Sequence, residues 1–377
     1  MSRLKARAAT KRKQQQQQEQ ATFWPELCRR IDSGQVIPIV SNGVYYEQIF
    51  DMDGDGILGV SQGETNEQGW SIEEQLADAW AEEIGFPLDG RHKLARVALY
   101  NRVVRSSDDR GAKTTYLRWL KEALLILAED DPDVDTDILE EQQAEVEQSS
   151  FANIAVELGY PRPVKGQPDA LAQLARLKLP IYVTTSGFDF LERAILANGR
   201  TPRTQICFWS GEPMRYGDES HRTDYGFEPS PERPLVYHLF GLEAYPESLV
   251  LTEDDYLDFL AAIAQDAHQQ QPLLPWYLRQ ALTQSSLLLL GYQPRDWDFC
   301  VLFRGLINAT PSGLRMINLA IQMNPDEQQW IVAADDIKRY LQGYFEEKEK
   351  QLNFMVVYDT TAAFVNRLWE AWDQWRR

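Results

Sequence analysis

Four segments hold the residue types that chemistry needs, and each follows directly on an apolar run. They are Ser41-Asn42-Gly43-Val44-Tyr45, Thr184-Thr185-Ser186-Gly187-Phe188-Asp189, His238-Leu239-Phe240-Gly241 and Gly291-Tyr292-Gln293-Pro294-Arg295-Asp296-Trp297-Asp298. In an open parallel sheet, ligands sit at the carboxyl ends of the strands, so these segments are where a ligand pocket is expected. Glycine there tolerates positive φ and lets backbone amides approach a pyrophosphate. Serine and threonine hydroxyls both donate and accept hydrogen bonds. A histidine near neutral pKa moves a proton, and a carboxylate such as Asp189 stabilises a developing cation.

Each residue also has a plainer reading. Of the four histidines only His238 lies in a strong strand pattern, where a hydrogen-bonded core imidazole is as reasonable as a catalytic one. Asp189 is equally placed to cap a helix beginning at Phe190, and Asp296 to cap one beginning at Trp297, with Asp298 on that helix's first turn. Asp51-Met52-Asp53-Gly54-Asp55-Gly56 copies the start of a calcium loop, but the twelfth position is Gln62, so an acidic loop folded by Asx-turns is preferred to a metal site.

The elements that must position these residues follow from periodicity. Phe23, Leu27 and Ile31 share a helical face that stops at Gly34, and a strand Val36 to Val40 comes next. A capping box at Ser71 and Glu74 starts a helical region, with further amphipathic segments at Leu94 to Val104 and Tyr116 to Ala128 and an acidic stretch from Glu129 to Glu147. Strands and helices then alternate: Ile181 to Thr184, Phe190 to Ala197, Ile206 to Trp209, Leu235 to Leu239, Tyr256 to Ala264, Leu287 to Leu290. A last unit adds a strand near Ile317 to Ile321, a helix Ile337 to Phe345, a strand Phe354 to Tyr358 and a helix through Phe364, Leu368 and Trp372. The pattern predicts an α/β fold: a Rossmann-like parallel sheet with helices on both faces and a helical insertion. We divide it into a basic, Gln-rich tail over 1–20, a domain over 21–310 with the insertion at about 60–165, and a C-terminal extension over 311–377 packed on the same domain.

Composition narrows the function. With 377 residues, 44 % of them hydrophobic, the chain can bury a sizeable core. A net charge of −19 argues against a general nucleic-acid binder. No apolar stretch is long enough for a membrane helix, so no membrane partner and a cytoplasmic location are expected. Cys28, Cys207 and Cys300 are too far apart for a zinc ribbon or a disulfide framework. Trp369, Trp372 and Trp375 alternate around the final helix, which suggests packing on the sheet edge or on another subunit and favours a homo-oligomer.

In order and spacing the four segments resemble the sirtuin-like family, in particular the bacterial branch without the zinc ribbon that often serves antiviral defence. The resemblance runs over roughly 35 to 310 and is strongest at Leu251-Thr252-Glu253-Asp254-Asp255-Tyr256 and at Gly291-Tyr292 with Asp296. It implies NAD as ligand or substrate and no zinc. The implied binding residues are Ser41, Asn42, Gly43, Thr184, Thr185, Gly241, Gly291, Tyr292 and Asp296, and the implied catalytic ones Ser186, Asp189 and His238. Ser41, Asn42 and Tyr45 depart from the family's Gly-Ala-Gly-x-Ser loop, Ser186 stands on its Asn, and Phe240 on its His. His238 lies two residues before Phe240, so a continuing strand would point it to the same side, displaced by about 7 Å. The expected activity is hydrolysis of NAD to nicotinamide and ADP-ribose, as effector of a prokaryotic antiviral defence system with a possible partner protein. The alternative is a sensor or scaffold that binds NAD or ADP-ribose without chemistry; a deacylase would need a zinc lobe that cannot be assigned.

Overall fold

Strands β1 (Val36–Val40), β2 (Ile181–Thr184), β4 (Leu235–His238) and β5 (Ser286–Leu290) are buried at every position, which is why each reads as a near-continuous apolar run. Strand β3 (Arg203–Ile206) is more polar, and β6 (Asn318–Met323) and β7 (Asn353–Tyr358) complete the set. All seven join one parallel sheet in the order β3-β4-β2-β1-β5-β6-β7. The computed structural model describes residues 23–50, 71–106, 108–163, 168–210, 221, 224, 226–266, 272–292, 297–302, 318–323 and 353–377. The acidic loop at 51–56, the tail at 1–20 and the helix expected at 337–345 lie outside these.

Between β1 and β2 the described residues form only helices and their connections, over a longer span than the 60–165 expected for the insertion. They are α2 (Tyr46–Phe50), α3 (Ile72–Glu83), α4 (Leu94–Val104), α5 (Asp109–Glu129), α6 (Thr136–Ala144), α7 (Phe151–Glu157) and α8 (Ala170–Arg176), preceded by α1 (23–32) ahead of β1. The Ser71/Glu74 capping box forms as the spacing predicts. Helix α9 (Phe190–Ala197) follows β2, α10 (Glu253–Asp266) and α11 (Trp276–Gln284) lie between β4 and β5, α12 (Trp297–Leu302) follows β5, and α13 (Thr361–Arg376) follows β7.

Strand alternation splits the core into two layers. Val36, Val40, Tyr182, Val236, Leu288 and Leu290 face the layer that also takes in α1, the insertion helices, α9 and α13. Ile37, Ile39, Val183, Tyr237, Leu287 and Leu289 face α10, α11 and α12.

Two boundaries differ from the sequence expectation for identifiable reasons. Strand β3 lies three residues before the apolar run 206–209, because an edge strand has one neighbour and tolerates Arg203 and Thr204. The apolar residues after it turn away, with the Trp209 indole donating to Ser248 O at 2.9 Å. Helix α10 begins at Glu253 rather than Tyr256, because Thr252 and Asp255 make a reciprocal cap: Asp255 N–H donates to Thr252 Oγ1 (3.1 Å) and Thr252 N–H to Asp255 Oδ2 (2.8 Å). Trp372 is buried in the core and Trp369 is covered by the Arg176 guanidinium, so Trp375 alone of the three tryptophans stays exposed. Among the described residues no helix is long and apolar enough to cross a membrane.

Candidate functional site

The connections after β1 and β5 run to opposite sides of the sheet, which makes the gap between their carboxyl ends a topological switch point. A cleft of about 490 Å³, counting the open solvent at its mouth, lies at this end of the sheet. The floor comes from the strand ends: Asn42 after β1, Thr185, Gly187 and Phe188 after β2, Phe240 after β4, and Asp298 after β5. The insertion supplies Tyr46, Glu73, Leu94, Tyr116 and Leu117 as the opposite wall, and Tyr256 of α10 closes one side.

At the β1 end the chain is pinned rather than open. Ser41 Oγ donates to Gly291 O at 2.6 Å, and Ser41 N–H donates to Leu290 O at 3.1 Å. Residues Asn42–Val44 make a short 3-10 turn whose first N–H groups have no acceptor inside the turn. A Cβ on Gly43 would overlap the Gly291 carbonyl, so glycine is required here for close contact between two chain segments. Gly291 adopts φ +78°, and a side chain there would sit 2.8 Å from both Ser41 Oγ and Val44 N. Of this group Asn42 lines the cleft, with its amide oxygen accepting from Tyr45 Oη at 2.6 Å.

The residues after β2 and β4 form a closed set. Thr184 Oγ1 donates to Val40 O (2.9 Å) and accepts from Ser186 N–H (3.0 Å). Ser186 Oγ is hydrogen-bonded to Tyr45 Oη and accepts from Phe188 N–H at 3.1 Å. His238, fully buried, uses both ring nitrogens: Nδ1 is 2.9 Å from Ser186 O and Nε2 is 2.8 Å from Glu192 Oε1 on α9. A carbonyl only accepts, so Nδ1 carries a proton. Burial by itself lowers the imidazole pKa, but the Glu192 carboxylate outweighs it and the pKa is raised; burial likewise opposes ionisation of Glu192, yet His238 holds its pKa below the ordinary value. The pair is a buried imidazolium and carboxylate, with Thr204 Oγ1 donating a further bond to Glu192 at 2.9 Å.

Phe240 does not share the face of His238. The strand ends at His238, Gly241 turns at φ +86° against Ser248, and Phe240 swings into the opposite layer, edge-on to Tyr256 (5.7 Å) and Phe259 (5.1 Å). The two-residue periodicity expected to align the two side chains stops with the strand. Asp189 stands at the N-cap position of α9 without making a capping bond, and pairs instead with Arg193 at 3.0 Å.

Across the cleft, after β5, the polar groups face inward. Tyr256 Oη donates to Asp298 Oδ1, and the neighbouring Thr185 hydroxyl also favours the ionised carboxyl. Thr185 Oγ1 is in turn 2.9 Å from Tyr292 Oη. Burial pushes the Asp298 pKa up to about 6, against the two hydroxyls that pull it down. Tyr256 stacks on Trp297 with centroids 5.7 Å apart and planes 18° from parallel. Thr185, on the cleft lining, and Tyr292, buried, therefore meet here, while Asp296 lies outside the described residues.

Asp298, Tyr256, Glu73 and Tyr116 are lining residues that sequence reasoning did not assign to the site. A signal existed for two of them. The Thr252/Asp255 cap fixes Tyr256 on the first turn of α10, and the Ser71/Glu74 box places Glu73 on the first turn of α3. Nothing local marks Tyr116; it reaches the cleft because α5 folds back over the strand ends. Arg96 of α4 pairs with Glu253 at 3.2 Å and Lys113 of α5 with Asp255 at 3.4 Å, with Arg102 on Asp254, so the acidic first turn of α10 clamps the insertion down. Lys113 is buried, which keeps its pairing from solvent screening.

Among the described residues no group of three or more His, Cys, Asp or Glu is gathered to hold a metal ion. Compared with known families, residues 180–352 match the model described as a SIR2-like domain. That span starts at β2 and reaches past β6; β1, its loop and the insertion lie outside it. No curated protein matches the chain.

Proposed function

Because the chain carries a SIR2-like domain, we propose that it binds NAD in the cleft and hydrolyses it to nicotinamide and ADP-ribose. The observation that carries this reading is the lining of the cleft: a hydroxyl-held carboxylate, Asp298, shares the floor with Phe240 and stands opposite aromatic side chains from Tyr46 and Tyr116 at the switch point of the sheet. Such a site suits this substrate chemically. Nicotinamide in NAD is a cationic leaving group, and its departure builds an oxocarbenium-like ribose, so the protein mainly has to orient the sugar and favour positive charge. Aromatic faces attract a pyridinium ring, and the carboxylate favours the cation that replaces it.

The family resemblance extends the proposal to an effector of a prokaryotic antiviral defence system, acting in the cytoplasm as a homo-oligomer or with a partner protein that releases its activity. Incubating the pure chain with NAD and following nicotinamide by chromatography tests the hydrolase, with unchanged NAD as the result that sinks it.

A second reading has its own observation. Ser186 and His238, which the resemblance assigns to catalysis, have their polar atoms engaged by Tyr45, Phe188, Glu192 and a backbone carbonyl. That arrangement suits a nucleotide sensor. Calorimetric binding of NAD and ADP-ribose with equal affinity and no nicotinamide release would establish it.

A further inference from the structure

We infer that Asp298 is the catalytic carboxylate of this cleft, accepting the proton of the water that attacks the ribose, with Tyr256 as its positioning residue. This rests on the hydrolase reading above and names the group that serves it.

The other candidates are placed elsewhere. His238 offers no lone pair while both nitrogens are engaged, and Asp189 is turned to Arg193 on the surface of α9. The Ser186 hydroxyl is bonded to Tyr45. Among the described residues that line the cleft there is no histidine, and the carboxylates are Glu73 and Asp298. Glu73 belongs to the wall supplied by the insertion, whereas Asp298 stands on the sheet side, beside the ends of β2 and β4.

Asp298 is also built to stay where it is. Its carboxyl is held by the Tyr256 hydroxyl from α10, and beside it Thr185 of the β2 loop is fixed by Tyr292. The Tyr256 proton points toward the carboxylate, which leaves the other carboxylate lone pairs to accept from the cleft. Fixed donors on a base confine it to one geometry, the condition for efficient proton transfer. A carboxylate that titrates close to neutrality is matched to this task.

The step balances without a further reactant. The ribose C1′–nitrogen bond breaks and its electron pair returns to the pyridinium nitrogen, leaving neutral nicotinamide. Water oxygen bonds to C1′, one water proton passes to Asp298, and Asp298 then releases it to solvent.

The experiment compares the full chain with Asp298→Asn and Tyr256→Phe, measuring nicotinamide release across the neutral pH range and ADP-ribose binding by calorimetry. Asp298→Asn is expected to lower kcat by about 100-fold or more with ADP-ribose affinity retained. Tyr256→Phe removes a bond that lowers the Asp298 pKa, so the acid limb of kcat moves to higher pH. A merely structural tyrosine would leave that limb in place. Wild-type turnover in folded Asp298→Asn, or a Tyr256→Phe profile that superimposes on the parent, overturns this assignment and leaves the hydrolase reading standing. If Asp298→Asn fails to fold, the Tyr256→Phe profile decides. A parent chain that binds ADP-ribose yet releases no nicotinamide overturns the hydrolase reading and this inference together.

Discussion

Two hydrogen-bonded sets at the strand ends, one buried behind the cleft and one on it, use the same kinds of residue to opposite ends. On the β2 and β4 side, His238, Glu192, Thr204 and Ser186 bond to one another and to backbone, and His238 is fully buried. On the β5 side, Thr185, Tyr292, Tyr256 and Asp298 bond to one another but leave Thr185, Tyr256 and Asp298 on the cleft surface. The first set neutralises its charges within itself, as a buried ion pair must. The second keeps a carboxylate of perturbed pKa facing a cavity, which is the arrangement that points to function. Residue type therefore identifies less than what the polar atoms are already doing.

The largest expected effect comes from breaking the closed side. Glu192→Leu removes the partner of a fully buried imidazolium and is expected to lower unfolding free energy by about 3–5 kcal/mol, measured by urea denaturation. A negligible loss would mean that His238 is neutral and available, and the contrast between the two sides would collapse. Gly291→Ala attacks the joint between β1 and β5, forcing a side chain onto Ser41 Oγ and Val44 N at φ +78°. A loss of about 1–3 kcal/mol is expected in the same assay, with weaker NAD binding because Asn42 shifts; parent-like stability would show the loop to be loose. Tyr292→Phe strips one hydrogen bond from Thr185, for about 1 kcal/mol, and sharpens the comparison if turnover falls more than stability does.

The smallest effect at neutral pH concerns the tie between insertion and sheet. Glu243, after β4, accepts from Phe151 N–H at the start of α7 (2.8 Å), and burial raises its pKa to about 7 from 4.5. The folded state thus holds a proton that the unfolded chain has already released between those values. This contribution is fully present below pH 4.5 and is lost as pH rises to about 7. Glu243→Gln is expected to flatten the fall in melting temperature over that window, and an unchanged slope would remove Glu243 as its source.

The sequence by itself determined the class of the fold, because strands buried on both faces have to be written as apolar runs and helices as amphipathic ones. Val36–Val40, Ile181–Thr184 and Phe190–Ala197 were legible to the residue, and so was the Ser71/Glu74 cap, since each depends on neighbours in the chain. It also brought Thr185 and Tyr292 near one another, because the ends of parallel strands share one edge of a sheet. Where polar side chains point was decided only by tertiary structure. His238 and Asp298 look equally chemical as letters, but Glu192 reaches one from a helix 46 positions away, and Tyr256 holds the other from 42 positions away. Tyr116 and Glu73 reached the cleft because the insertion folds back onto α10 through Arg96, Arg102 and Lys113. Such contacts depend on which elements pack together, and periodicity along one segment carries no record of its partner.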